Sequence, residues 1–157
     1  MSDESGVAPI PEGYRTITPY LNVRGAAEAL DFYQKAFGAE ELYRMNGPDG
    51  KVMHAEIQLG DSRFMLAEEM EDWGNHSPST LGGTSFTLMV YVEDCDAAFQ
   101  RAIDAGATEV MPVSDQFYGD RSGVVEDPFG HRWNLSTHVE DVAPDEMDRR
   151  MREMMGG

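Results

Sequence analysis

His54 and Glu56 form the pair whose types and spacing could move a proton. An imidazole titrates near neutrality. A carboxylate two residues along an extended strand projects from the same face, so together they could serve as acid and base on a bound carbonyl compound. The blander reading is a pair of hydrogen-bonding partners on a sheet surface. His76 sits in a loop with Trp73 and could border a binding site, whereas His131 and His138 read as surface residues at a turn and beyond the last strand. Arg121 with Asp120 or Asp127 reads as a loop-fixing ion pair. No glycine-rich phosphate loop, nucleophile elbow or Cys–His pair occurs, and the lone Cys95 excludes an intrachain disulfide and a cysteine-based zinc cluster.

The elements that must position these residues come from hydrophobic period. Residues 15–23 alternate as a half-buried strand, and residues 25–37 carry Ala26, Leu30, Tyr33 and Phe37 at helical spacing before Gly38. Strands follow at 40–45, 51–59 and 62–68, separated by Asn46-Gly47-Pro48-Asp49-Gly50 and Gly60-Asp61. After a connection over 69–84 the pattern restarts: a strand at 86–92, a helix capped by Asp94 and ended by Gly106, then strands at 108–113, 122–126 and 131–137. Val23 and Val92 are 69 positions apart and Gly38 and Gly106 are 68 apart, which argues for internal duplication. A last helix is expected over 144–155, with core packing as the default account of Met147, Met151 and Met154 and a lid or dimer contact as the sharper one.

Period-2 bookkeeping also sorts the faces. Thr18, Tyr20 and Asn22 share one face, as do His54, Glu56 and Gln58; Thr87, Met89 and Tyr91; and Arg132, Asn134 and Ser136. The opposite faces carry Ile17, Leu21, Ile57, Leu59, Phe86, Leu88, Val90, Trp133 and Leu135, expected to pack on helices.

At 157 residues, 41% hydrophobic and 26% charged, the chain suits one compact domain. Its formal charge of -17 repels phosphate backbones and anionic lipid, arguing against nucleic acid and membrane as partners. Acids at Asp3 and Glu4, where a secretory signal needs bases, and the lack of a long apolar run predict a cytoplasmic protein.

Tyr20-Leu-Asn-Val with Ala29-Leu-Asp-Phe-Tyr, Phe37-Gly-Ala-Glu, Tyr118-Gly-Asp-Arg and Asp127-Pro-Phe-Gly-His-Arg-Trp together resemble the vicinal-oxygen-chelate superfamily of glyoxalases, dioxygenases and bleomycin-resistance proteins, in its PhnB-like branch. The resemblance implies an α+β fold in which two βαβββ modules form a curled, mostly antiparallel cup with helices outside, plus a C-terminal helix. The resemblance covers the domain at 14–138 (modules 14–68 and 85–138, linker 69–84); residues 1–13, with Gly6, Pro9, Pro11 and Gly13 among acids and no periodicity, read as a flexible leader, and the last helix lies in 139–157. The resemblance also implies a homodimer and, in the glyoxalase type, a divalent metal held by the two modules. The positions pointed to here are Thr18, Glu56, Thr87 and Asn134. Of these Glu56 alone is a strong ligand type, and one carboxylate does not hold a first-row ion tightly. The reading that follows is a small-molecule-binding protein without cofactor. Its ligand would meet Thr18, Tyr20, His54, Glu56, Thr87, Met89, Tyr91, Phe117, Tyr118, Arg132 and Asn134. The alternatives are an enzyme acting through His54 and Glu56, with or without a metal at Glu56, and an interaction module with no ligand.

Overall fold

The computed structural model describes residues 6–156. The expected leader over 1–13 therefore lies at 1–5 outside the described residues. The chain divides into two compact units, Met1–Gly83 and Thr84–Gly157.

The first unit runs β1 (Tyr20–Val23), α1 (Ala26–Phe37), β2 (Glu40–Asn46), β3 (Val52–Leu59) and β4 (Ser62–Glu68), followed by a 3-10 turn at Glu71–Trp73 and a short α2 (Pro78–Leu81). Its sheet has the order β1-β4-β3-β2, with β1 parallel to β4 and the other pairs antiparallel. The second unit repeats the plan with β5 (Thr87–Tyr91), α3 (Cys95–Ala105), β6 (Thr108–Asp115), β7 (Asp120–Glu126) and β8 (Arg132–His138), in the order β5-β8-β7-β6, and adds α4 (Pro144–Met154). Two βαβββ modules with identical strand order, each mixed rather than purely antiparallel, are thus present.

α1 and α3 each cover the apolar face of their own sheet. In the first unit Ala29, Leu30 and Tyr33 of α1 are buried with Leu21, Ile57, Phe64 and Leu66 of the strands, and Tyr33 meets the Phe64 ring edge-on at 5.7 Å. Trp133, Leu135 and Val125 form the counterpart under α3. There Gly123 is required by contact: a Cβ on it would collide with the Phe99 ring and Val113.

The helices begin differently. Asp94 caps α3 itself, its carboxylate accepting from the Ala97 amide at 3.1 Å. Gly25 has no side chain to cap α1, and Glu68 from β4 does so instead, accepting from the amides of Gly25 at 2.7 Å and Ala26 at 3.3 Å. The connection after β4 is latched by Glu69, which accepts from Thr80 Oγ1 at 2.6 Å, the Ser77 amide at 3.1 Å and Arg24 Nε at 3.1 Å. These donors, the Thr80 hydroxyl foremost, hold its carboxyl down at about 2.

Several expectations are corrected. The first strand starts at Tyr20, not at 15, because Pro19 lacks an amide for the ladder and the preceding residues turn instead. Ile17, expected in the core, is consequently 84% exposed, and Phe86, just ahead of β5, is also exposed. His131, expected at the surface, is buried against the Phe86 ring, and its amide donates to Asp127. The same Asp127 accepts from the Phe129 amide and from Trp133 Nε1 at 2.9 Å, so it organises its own turn and does not pair with Arg121. Arg121 instead meets Asp96 and Asp115. No residue of α4 is buried, and Met151 and Met154 are exposed, which removes the core-packing account of the methionine stripe. The helix is held through Arg150, which donates to the Phe117 carbonyl and pairs with Glu140 and Glu146.

Candidate functional site

The non-helical face of the first sheet can be read in rows from its pairing register. Tyr20 opposes Met65, Met65 opposes Glu56, and Glu56 opposes Tyr43. In the next row Asn22 opposes Ala67 and His54 opposes Met45, while on the other side Gln58 opposes Arg63. Alternation along β1 and β3 puts these polar and aromatic groups on the side away from α1 because Leu21, Ala55 and Ile57 occupy the other.

Three of these side chains join Tyr14 in one polar chain. The Tyr14 hydroxyl donates to Glu56 Oε1. Glu56 Oε2 lies 3.8 Å from His54 Nε2, and His54 Nδ1 is 2.8 Å from the Tyr20 hydroxyl. The Tyr20 and Tyr43 rings flank the imidazole at centroid distances of 5.6 Å and 6.4 Å. The carboxylate beside Nε2 favours the tautomer with its proton there, leaving Nδ1 to accept from Tyr20. Burial first, and then the hydrogen bond to and charge of Glu56, push the Tyr14 phenol up to about 12. Burial and the Glu56 charge likewise raise Tyr20. Both phenols are therefore neutral donors at physiological pH.

Arg63 backs this cluster. Its guanidinium lies 5.3 Å from the Tyr14 ring centroid, donates to Gln58 Oε1 at 2.7 Å and reaches the Glu12 carbonyl at 3.1 Å. Tyr14 and Arg63 were absent from the sequence expectation. Arg63 could have been found from the alternation of buried Phe64 and Leu66. Tyr14 carries no such signal, since it precedes β1 and meets Glu56 across 42 positions.

The remaining expected residues are placed as follows. Thr18 is off the strand, its hydroxyl donating to the Arg15 carbonyl at 3.2 Å. In the second unit Thr87, Met89 and Tyr91 oppose Arg132, Asn134 and Ser136 in that order. Asn134 accepts from the Ser136 hydroxyl at 2.7 Å, and Arg132 pairs with Glu126. Phe117 and Tyr118 stack edge-on at 5.2 Å in the turn between β6 and β7. His76 is half-buried between the 3-10 turn and α2.

A second ionisable cluster forms at the end of this sheet. Asp120 is buried, with Oδ2 accepting from the Tyr91 hydroxyl at 2.8 Å and Oδ1 2.8 Å from His138 Nδ1; His138 Nε2 is 2.7 Å from Asp141. His138 therefore belongs to β8 and to a network rather than to the free surface. Its pKa is raised, by the Asp120 hydrogen bond first and then by Asp141.

The model of the glyoxalase/bleomycin resistance protein/dioxygenase superfamily aligns with residues 15–135. The chain belongs to this superfamily. An uncharacterised protein of Mycobacterium tuberculosis is 46% identical over 144 residues, covering 90% of this chain and 85% of the relative. The crystal structure of TioX from Micromonospora sp. ML1 matches with a TM-score of 0.62 at 27% identity, over 82% of this chain and all of that one. The PhnB protein of Bacillus cereus shares the fold, with a TM-score of 0.61 at 23% identity over 78% of this chain and 99% of its own.

The glyoxalase type of this superfamily implies a divalent metal, and the donors can be tested against that. Thr18 and Asn134 use their polar groups in local hydrogen bonds, and Thr87 offers a neutral oxygen. Among the described residues no three His, Cys, Asp or Glu side chains converge to hold a metal ion. A site built from Glu56 and three neutral oxygens does not suit a first-row divalent ion. Among the described residues no helix is long and apolar enough to cross a membrane.

Proposed function

We propose that the protein binds a small organic molecule on the polar face of its first sheet, without a metal. The observation that carries this reading is the chain from Tyr14 through Glu56 and His54 to Tyr20. It sets a carboxylate and an imidazole, 26% and 24% exposed, among half-exposed aromatic rings. Apolar and aromatic side chains with a few fixed polar groups among them are the usual lining of small-ligand sites. The ligand expectation for Thr87, Met89, Tyr91, Arg132 and Asn134 is a further part of the proposal, for the second sheet. Native mass spectrometry of the purified protein, with elemental analysis of the same sample, tests it. The expected result is a co-purifying organic mass and less than about a tenth of a metal ion per chain; a stoichiometric divalent ion overturns the metal-free reading.

A second reading is favoured by the same contact. An imidazole whose Nε2 faces a carboxylate can shuttle a proton on a carbonyl compound bound there. In that case Glu56→Gln abolishes turnover of the ligand found by mass spectrometry while leaving its binding within about tenfold.

A further inference from the structure

The gap between His54 Nε2 and Glu56 Oε2 identifies the group a ligand must present. At 3.8 Å the two atoms are too far apart to hydrogen-bond each other, yet both side chains stand on one face of β3 and are about a quarter exposed, 24% and 26%. The other polar atom of each is engaged: Glu56 Oε1 by Tyr14 and His54 Nδ1 by Tyr20. What remains is one acceptor, Glu56 Oε2, and one donor, the Nε2 proton. A single oxygen carrying a hydrogen satisfies both, since O–H···O and N–H···O lengths of about 2.7 and 2.9 Å can meet across that span. An ether or carbonyl oxygen would accept from His54 but leave the carboxylate facing a lone pair. An anionic oxygen would be repelled by it.

We propose that the ligand is anchored by a hydroxyl group lying between His54 Nε2 and Glu56 Oε2, donating to the carboxylate and accepting from the imidazole. Its flat apolar body lies against the half-exposed rings of Tyr20 and Tyr43. This rests on the small-molecule reading above and narrows it to phenols, enols and alcohols attached to an aromatic or planar body. The flanking rings argue for the planar body: Tyr20 is 48% and Tyr43 47% exposed, with Met45 beside them equally open. Aromatic rings favour offset-stacked or edge-to-face partners, so two half-open tyrosines offer a planar body surfaces to pack on. Tyr14 acts here as a positioning residue, fixing the carboxylate so that Oε2 and not Oε1 faces the gap.

The test titrates the full chain with 2-naphthol, 2-methoxynaphthalene and naphthalene, following the His54 ring and the Tyr20 and Tyr43 signals by NMR. A hydrogen bond to a charged group separates the first compound from the other two by on the order of tenfold or more in Kd. The expected result is that 2-naphthol shifts the His54 signals and binds at least that much tighter than its methyl ether. In Glu56→Gln, where the charge is gone, the ratio between them falls. Equal affinities of naphthol and ether, both read at His54, overturn the hydroxyl anchor and leave the binding reading standing. No perturbation of His54, Tyr20 or Tyr43 by any of the three overturns both. The ligand comparison is made on the unaltered protein and stands whether or not the variant folds.

Discussion

The two units share strand order, helix placement and a buried aromatic under each helix, yet their polar faces have diverged. Where the first carries Tyr20, Met65 and Glu56 in one row, the register of the second places Met89, Asn134 and Val124 in the corresponding row. The carboxylate is replaced by an aliphatic side chain and the half-open tyrosine by a methionine. The second unit keeps an acid–imidazole–phenol set, but at the sheet's end, where Asp120, His138 and Tyr91 meet near the attachment of α4. Duplication preserved what packs and left free what faces away from the helix. Apolar volumes under a helix are coupled to one another, whereas a polar group on an open face is constrained by its own partners alone.

The equivalence of the two units is tested most severely in their cores. Trp133→Ala opens a cavity and leaves Asp127 Oδ2 without its indole donor, and should cost about 3–5 kcal/mol by chemical denaturation, as should Tyr33→Ala in the first unit. A much smaller loss for one of them would mean that the two cores are not equivalent. Smaller effects are expected at the helix caps. Asp94→Ala and Glu68→Ala should each lose about 1 kcal/mol, showing that a cap from a distant strand replaces a local one. A negligible effect of Glu68→Ala would sever that equivalence.

Titration separates the polar faces further. Tyr14 deprotonates at about 12 when folded and near 10 when unfolded, so the native state holds its proton more tightly. Its contribution to stability is complete below pH 10 and disappears as pH rises from 10 to 12. Absorbance titration of Glu56→Gln should return the phenol part of the way towards 10, with the share due to burial remaining. The smallest effect concerns His138. Its pKa is raised above 6.5, so the contribution of its contacts is fully present below pH 6.5 and fades as pH rises through the higher folded value. The protection factors of the Val139 and Glu140 amides, which donate to the Gly119 carbonyl, should fall over that window once the intrinsic base catalysis of exchange is divided out, and should become pH-flat in His138→Gln. Unchanged exchange in the variant would detach the network from the segment leading to α4.

Local patterns were sufficient for the repeat itself. The alternation in β3, β4 and β8, the αL glycine after α1 and the Asp94 cap are each set by residues within a few positions of one another, so period and turn chemistry carry them. The placing of His54 and Glu56 on one face followed from the same period and needed no neighbouring strand. Strand starts were less legible, because Pro19 interrupts an otherwise good alternation and converts Ile17 from an expected core residue to an exposed one.

What the tertiary structure alone decided are the partners. Tyr14 reaches Glu56 across 42 positions, Glu68 caps a helix 42 residues earlier, and Asp120 gathers Tyr91 and His138 from two other strands. Asp120, Asp127 and Arg121 look interchangeable as a sequence string, yet one joins a phenol–imidazole network, one folds its own turn and one pairs with α3 and β6. A charged side chain reaches several angstroms in any direction, and its choice of partner depends on which strands the sheet has brought beside it. Sequence period determined the face on which His54 and Glu56 stand. The sheet's pairing order and the approach of Tyr14 decided which oxygen of Glu56 and which nitrogen of His54 hold a hydrogen bond and which do not.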